Sequence, residues 1–422
     1  MHSFLEEYLK DKKILILGFG REGRSTYGVL RNISTYRELA IADMNAQEPP
    51  FGDSVRVIGG EGYLDVLDEY DLVIKSPGVA LPRDFSDYRC EITSQIELFL
   101  MRFGNQTVGI TGTKGKSTTS SLLYHVLQKS GCDCVFGGNI GIPVFDIAED
   151  ISDGTTVVLE LSCHQLEHIS VAPKTAVLLN MYEDHLDRYG TFERYAETKK
   201  NIYRRQKSGD VLFCNPNFFP AEGDCISTVR GVYPEQLPSF PSRLKGEHNR
   251  YDISVVCEVC RHLGISDSDI ALGVADFRPL AHRLEYVGTK DGIDYYDDSI
   301  STTVESTIGA IKSIENIGTV LIGGMERGID YQKLIDFLLV CNIDNVIFMY
   351  SSGKRIYDEI VASDRRTATN FSYVPDLSSA VEQAKKITAH QKACVLSPAA
   401  ASYGSFKNFE ERGDVFCRLA GF

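Results

Sequence analysis

The 422-residue chain is too long for one hydrophobic core and implies three domains, at roughly 100 to 200 residues each. Hydrophobic residues at 43% and charged residues at 24% match ordinary globular proteins and exclude a disordered or fibrous chain. Lys+Arg 44 against Asp+Glu 58 leaves a net charge of -14, which opposes counterion release and argues against a nucleic-acid partner. No apolar run approaches the roughly 18 residues of a membrane span, and the start MHSFLEEYLKDKKILILG lacks a signal-peptide pattern, so no membrane insertion and a cytoplasmic location are expected. Eleven cysteines, an odd set spread through structured text, suit reduced thiols.

Short apolar runs alternate with helix-period segments: 14–17, 72–74, 107–110, 157–161, 177–179, 320–322, 346–349 and 393–396. That alternation predicts stacked βα units with mainly parallel sheets, an α/β fold. Asn215 to Asn249 is rich in Pro and Gly and predicts irregular strands and loops, while Pro279 marks a junction before an alternating strand. Boundaries are placed near Ser94 and Arg278, giving domains 1–93, 94–278 and 279–422. No internal repeat or low-complexity stretch is visible.

The first run leads into Gly18, Gly20 and Gly23 and a helix-like segment, with Asp43 ending the next strand, ELAIAD. These glycines allow a tight turn and close backbone approach, so a helix N-terminus can face a diphosphate while Asp43 accepts from a ribose or base. A dinucleotide and a uridine diphosphate would use the same amides, and a purely structural glycine turn is the alternative. The next loop is more specific. Thr107–Ile110 feeds TGTKGKSTT and the helical SSLLYHVLQKSG. In that context the amides of Gly112, Thr113, Lys114, Gly115 and Lys116 cradle phosphates, Lys116 neutralises their charge, and Ser117, followed by Thr118, offers its hydroxyl to Mg²⁺. Ile110 stands where the strict motif has its first glycine. ATP or GTP use follows.

Glu160 closes the strand TTVVLEL, and Asp184, His185 and Asp187 follow the strand AVLLN. Such groups at strand C-terminal ends suit Mg²⁺, which takes one or two protein ligands and fills the rest with phosphate oxygens and water; a solvated acidic turn is the alternative. Cys257 and Cys260 form a CxxC with no second pair at zinc spacing, so a helix with two packed thiols is expected.

The motifs SPG at 76–78, GITGTKGKSTT, GGNIG at 137–141, LELSCHQLE, NMYEDHLDRYG, KxxIY at 199–203, GEHN, HRLE, DDSISTT and LSPAAASYGSFKNFEERGDVF run nearly the length of the chain. In this order they resemble the ATP-dependent Mur ligases of peptidoglycan precursor synthesis, and the last segment resembles their glutamate-adding branch. The resemblance implies an N-terminal Rossmann-like domain for the UDP substrate, a central P-loop ATPase, and a C-terminal Rossmann-like α/β domain that brings the amino acid. It implies that Gly18, Gly20, Gly23, Asp43, Ser76 and Gly78 hold the uridine diphosphate and Asn139 the muramoyl part. It also implies that Lys116 and Ser117 hold ATP phosphates, and that Asn249, Arg283 and Asp298 meet adenine, phosphate and ribose. Mg²⁺, in two ions, would be held by Ser117, Glu160, His185 and Lys199, the last carbamylated by CO₂. The implied substrates are UDP-N-acetylmuramoyl-L-alanine, glutamate and ATP, and the chain is expected to be a monomer.

A carboxylate accepts an amine at neutral pH only after its oxygen becomes a leaving group, so ATP first makes an acyl phosphate, with Lys116, His185, Lys199 and Arg283 in the catalytic machinery. Where the common D-glutamate ligases carry DSKAT and GGxxK, this chain reads DSIST and GGMERGIDY, with Ile300 and Arg327 at the lysine positions. Arg327 can still fork onto one carboxylate, and Thr302, Ser402 and the backbone near Phe409 can bond the other. D-glutamate is favoured, and a subgroup adding L-glutamate shares these departures. A folylpolyglutamate-synthase-like ligase, a nicotinamide oxidoreductase and a silent nucleotide sensor are the remaining alternatives. The first lacks the Gly18 loop and the SFKNFEERGD ending, and the second leaves GKST unexplained.

Overall fold

The computed structural model describes all residues except 46–53, 237–240, 245–246, 279–280, 364 and 366, and the side chains of 186, 187, 247, 248 and 305 are likewise outside it. Pro279, Gly246 of GEHN and the Asp187 carboxylate named above therefore lie outside the described parts. The chain divides into two compact units, Met1–Phe277 and Arg278–Phe422.

The first unit holds two sheets. Strands β1 (Lys13–Leu17), β2 (Glu38–Ala42), β3 (Arg56–Ile58), β4 (Leu72–Lys75) and β5 (Glu91–Thr93) lie in the order β3-β2-β1-β4-β5, all parallel. Strands β6 (Thr107–Thr111), β7 (Cys134–Gly138), β8 (Thr156–Glu160), β9 (Thr175–Leu178), β10 (Val211–Cys214) and β11 (Thr228–Gly231) lie in the order β11-β10-β9-β6-β8-β7, again all parallel. The inner strands read as unbroken apolar runs because helices cover both faces. On β8, Val157 and Leu159 enter one cluster and Val158 the other, as a two-residue side-chain period requires. The first of those clusters also takes Ile14 and Ile74 from the first sheet and Ile96, Phe99 and Phe103 from the helix Gln95–Phe103, so both sheets share one apolar core.

Both sheets reverse strand order beside a central strand. Neighbours on the two sides of β1 and of β6 leave in opposite directions, opening a crevice at the C-terminal ends where ligands of such sheets bind. Each glycine loop follows one of these two strands.

The second unit carries β12 (Glu285–Lys290), β13 (Ile293–Asp297), β14 (Ile317–Ile322), β15 (Asn345–Met349), β16 (Asn370–Val374) and β17 (Ala393–Leu396) in the order β12-β13-β17-β14-β15-β16. It is parallel except for the β12–β13 hairpin. That hairpin turns on Asp291 (φ 52°) and Gly292 (φ 74°), the left-handed pair that a two-residue turn needs. The expected α/β architecture is thus present, with one antiparallel edge. The Pro/Gly-rich stretch departs at its end from the irregular structure expected of it: helix Glu247–His262 already begins there. Cys257 and Cys260 on that helix are sealed in the core, and burial pushes the Cys257 thiol up to about 12, as packed thiols do. Among the described residues no helix is long and apolar enough to cross a membrane.

Candidate functional site

The loop after β6 is tightened by Gly112 and Gly115. A Cβ on Gly112 would meet Leu179 at 2.9 Å, and one on Gly115, at φ 86°, would meet the Asp252 carboxylate at 2.6 Å. Asn180, just past β9, clamps the loop: its Oδ1 accepts from the Thr113 and Lys114 amides at 3.0 and 2.9 Å, and its Nδ2 donates to the Lys114 carbonyl at 3.0 Å. The helix Lys116–Lys129 then starts with its N-terminal end at the loop, the arrangement that receives an anion. Lys116 Nζ donates to the Gly112 and Thr113 carbonyls at 2.9 and 3.2 Å, folding its charge over the cradle.

Lys199, on the helix Phe192–Arg204, brings a second amine to the same place. Its Nζ donates to the Gly112 carbonyl at 3.0 Å and sits 4.7 Å above the Tyr195 ring, and the residue is 1% exposed. Burial, then the charge of Lys116, pulls this amine down to about 7. Tyr195 ties the pair to the loop, because its hydroxyl lies 2.9 Å from Thr113 Oγ1.

Glu160 ends β8 opposite Ile110 of β6, beside the loop. Its Oε1 accepts from Asn139 Nδ2 at 2.7 Å, while Oε2 is sealed from solvent and meets no donor among the described residues. A buried carboxylate oxygen without a donor is costly, and a divalent cation is the partner that removes the cost. Ser117 is buried at the start of the helix. His185 is held in a left-handed turn (φ 51°) with its amide donating to Asp184 Oδ1 at 3.0 Å, and its exposed ring lies 6.1 Å from that of Tyr195. The open Glu160 oxygen therefore suits Mg²⁺, with Ser117 and His185 the further donors expected for it.

The first glycine loop is built differently. Gly18 takes φ 87°, and a Cβ on Gly23 would stand 2.0 Å from the Gly18 carbonyl oxygen, so Gly23 is required by packing; Gly20 is open. Ser76 Oγ donates to the Gly18 carbonyl at 2.8 Å, and Asp43 accepts from the Phe19 and Asn45 amides at 2.7 and 2.8 Å. Asp43 is thus already engaged in shaping the turn. Behind the SPG turn, Arg188 donates to the Gly78 and Val79 carbonyls at 3.3 Å and to Glu167 at 2.8 Å, and buried Lys75 donates to Val79 at 2.9 Å. The turn carrying His185 is therefore fastened to the turn carrying Gly78.

In the second unit, Arg283 sits between His282 (φ 61°) and Leu284 (φ 46°). Asp298 is buried, accepts from the Leu284 amide at 3.1 Å and Ser397 Oγ at 2.7 Å, and is held up at about 6, chiefly by burial. His282, Glu285 and Asp297 offer ligand atoms within 4.8 Å of one another. His282 Nδ1 already bonds Asp297 at 2.7 Å and Glu285 accepts the His282 amide at 2.9 Å, which satisfies the group internally. Arg327 is exposed on a turn folded by the Glu326–Arg355 pair, at 2.9 Å. Ser402 is buried, Thr302 half-buried, and the Phe409 carbonyl accepts from Ser299 Oγ at 2.8 Å. Asn249 is half-buried on the helix Glu247–His262 of the first unit.

Residues 110–219 match the model of the Mur ligase middle domain. A UDP-N-acetylmuramoyl-L-alanine:L-glutamate ligase of Micromonospora sp. is 31% identical over 97% of this chain and 96% of its own length. The chain belongs to the Mur ligase family. A UDP-N-acetylmuramoylalanine:D-glutamate ligase of Oceanobacillus iheyensis is 30% identical to this Mur ligase over 96% of each chain. Among solved structures, the fold is shared with MurF ligase of Thermotoga maritima in complex with ADP (TM-score 0.59, 15% identity, 98% of this chain and 95% of that one). It is shared also with the UDP-N-acetylmuramate-alanine ligase MurC of the same organism (TM-score 0.56, 18% identity, 96% and 98%).

Sequence reasoning missed two parts of this Mur ligase site. Asn180 was passed over as a strand end, although an amide side chain beside a phosphate loop can pair with both its donors and its acceptors. Tyr195 stands four residues before Lys199, a spacing that puts both on one helix face and was the available signal.

Proposed function

We propose that this Mur ligase joins glutamate to UDP-N-acetylmuramoyl-L-alanine in peptidoglycan precursor synthesis, using ATP. The observation that carries the reading is the convergence of Lys116 and Lys199 on the Gly112 carbonyl at the mouth of the phosphate loop. The Lys116 ammonium at that point meets the charge of a transferring phosphoryl group, and the buried Lys199 amine beside it would, once carbamylated, hold a metal ion there. The alanyl carboxylate oxygen attacks the γ-phosphorus, ADP leaves, and an acyl phosphate forms. The glutamate amine then attacks the acyl carbon, phosphate departs with the C–O bond, and the ammonium proton is lost to a base.

In this reading the loop amides and Lys116 hold the ATP phosphates, with Asn249, Arg283 and Asp298 on adenine, phosphate and ribose. Gly18, Gly20, Gly23, Ser76 and Gly78 bind the uridine diphosphate by backbone and hydroxyl donors, Asp43 accepts from its ribose or base, and Asn139 meets the muramoyl part. Residues 1–93, 94–278 and 279–422 serve the UDP substrate, ATP and glutamate in turn. Glu160, Ser117 and His185 would hold Mg²⁺, which when bound neutralises phosphate charge. A buried amine depressed to about 7 is about half unprotonated at neutral pH, far more than an ordinary lysine, and that form captures CO₂, so Lys199 is the residue to carry a carbamate and turn a cation into an anionic ligand. Arg327, with Thr302, Ser402 and the Phe409 backbone, would take the glutamate carboxylates. The enzyme acts as a cytoplasmic monomer, where ATP and UDP-sugars are found.

D-glutamate is the expected amine. Ile300 and Arg327, and the likeness to an L-glutamate ligase, support the L enantiomer as the second reading. ADP release measured with UDP-N-acetylmuramoyl-L-alanine and each enantiomer separately tests both: turnover should require both substrates, and equal ADP release without either would overturn the ligase reading.

A further inference from the structure

Arg412 is the largest fully buried side chain, with no exposed surface. It lies on the helix Phe409–Ala420, and its three nitrogens each hold a neutral oxygen: Nε donates to Ser299 Oγ at 3.0 Å, Nη1 to the Ala400 carbonyl at 3.0 Å and Nη2 to the Ser299 carbonyl at 2.7 Å. Among the described residues no carboxylate lies within ion-pair distance of it. Asp297 and Asp298 are near enough to favour its charge, but Asp297 is turned to His282 and the Ser299 amide, and Asp298 to Leu284 and Ser397. Burial lowers the guanidinium to about 10, so it remains charged at neutral pH.

A buried cation bonded only to neutral groups is costly, and a neutral side chain could tie the same backbone segments with less desolvation. The place of this one suggests why the charge is kept. Ser299 stands three residues before Thr302, Ala400 two before Ser402, and Phe409 three before Arg412 itself; Gly324, whose Cβ would lie 3.1 Å from Nη1, stands three before Arg327. Every segment that carries a proposed glutamate contact therefore meets at this guanidinium.

We propose that Arg412 is a positioning residue that makes this face select a dicarboxylate: it locks the Ser299, Ala400 and Gly324 segments into one frame and supplies that frame with positive charge. The inference rests on the glutamate-ligase reading for its substrate, and its chemistry requires only an anion with two carboxylates.

The test uses full-length Arg412→Met and Arg412→Lys, with steady-state KM for glutamate, ATP and UDP-N-acetylmuramoyl-L-alanine. Calorimetric binding of glutarate and of its half-amide, glutaramate, accompanies it. Arg412→Met should raise the KM for glutamate and the Kd for glutarate at least about tenfold, with kcat and the other two KM values within about threefold and glutaramate affected less. This is the scale of losing a charge-assisted contribution. Arg412→Lys, which keeps the charge, should hold glutarate within about threefold of the parent. Equal weakening of glutarate and glutaramate, or unchanged glutarate binding in Arg412→Met, would overturn the proposal. If Arg412→Met does not fold, the lysine variant decides, and a folded Arg412→Lys that loses glutarate tenfold refutes it. A parent enzyme that binds glutarate but releases no ADP with glutamate would defeat the ligase reading and leave this one standing.

Discussion

Two glycine-rich loops in one compact unit each leave the end of a central parallel strand, and they are held in opposite ways. At Gly18 to Gly23 the glycines serve backbone packing: one has a positive φ, another would drive a Cβ into a carbonyl, and the acidic Asp43 caps the turn. No lysine or arginine is folded onto that loop's own carbonyls among the described contacts. At Gly112 to Ser117 the glycines make room, an asparagine clamps the backbone, and two lysines lie on one carbonyl. The first loop can present amides to a diphosphate that only has to be held, whereas the second is equipped for a phosphoryl group whose charge changes during reaction. A glycine signature alone does not distinguish a holding loop from a reacting one; the lysines folded onto its carbonyls do.

Removing either lysine from the second loop should have the largest effect. Lys116→Ala is expected to lose at least about 10²-fold in kcat, the scale for a preorganised charge at a transition state, and Lys199→Ala to be nearly inactive. In Lys199→Ala a small carboxylate in the buffer should restore part of the rate by filling the vacated anion position, which ADP-release assays with and without formate would reveal. Near-normal turnover of either variant would erase the contrast between the loops.

Gly23→Ala should act on stability before chemistry. The added methyl faces a backbone oxygen that cannot swing aside, so about 3 kcal/mol of destabilisation is expected, read from urea unfolding. A folded Gly23→Ala of parental stability that had merely lost affinity for the UDP substrate would show that this glycine serves the ligand and not the packing.

A smaller effect concerns pH. Asp298, held up at about 6 by burial, is protonated in the folded chain at a pH where the unfolded chain is ionised. Its contribution to stability is therefore full below the unfolded value of 3.8 and is lost as pH rises through about 6. Its proposed bond from the ATP ribose is stronger to the ionised form, so the KM for ATP should rise as pH falls below about 6. Asp298→Asn should flatten that limb, and an unchanged limb would assign it to another group.

Much of this site was legible because strand, glycine and lysine follow one another along the chain. Lys116, Ser117, Glu160 and the Gly18 turn fall where local pattern puts them, at strand ends. Asn180 and Tyr195 were harder to see, since each reaches the loop from more than 60 residues away. The KxxIY spacing singled out Lys199 over Lys200, but burial separates them physically: Lys199 is sealed against Gly112, while Lys200 is on the surface side of the helix, paired with Glu197.

The sequence by itself determined the α/β alternation, the two loops and the family, because strand period, turn chemistry and motif order are properties of neighbouring residues. Tertiary structure alone decided which charges are buried and what they face. Glu160 keeps one oxygen without a donor, Lys199 loses most of its basicity, and Arg412 carries a charge at the meeting point of three segments. Desolvation depends on everything packed around a group, and a linear pattern holds no record of which distant residues those will be.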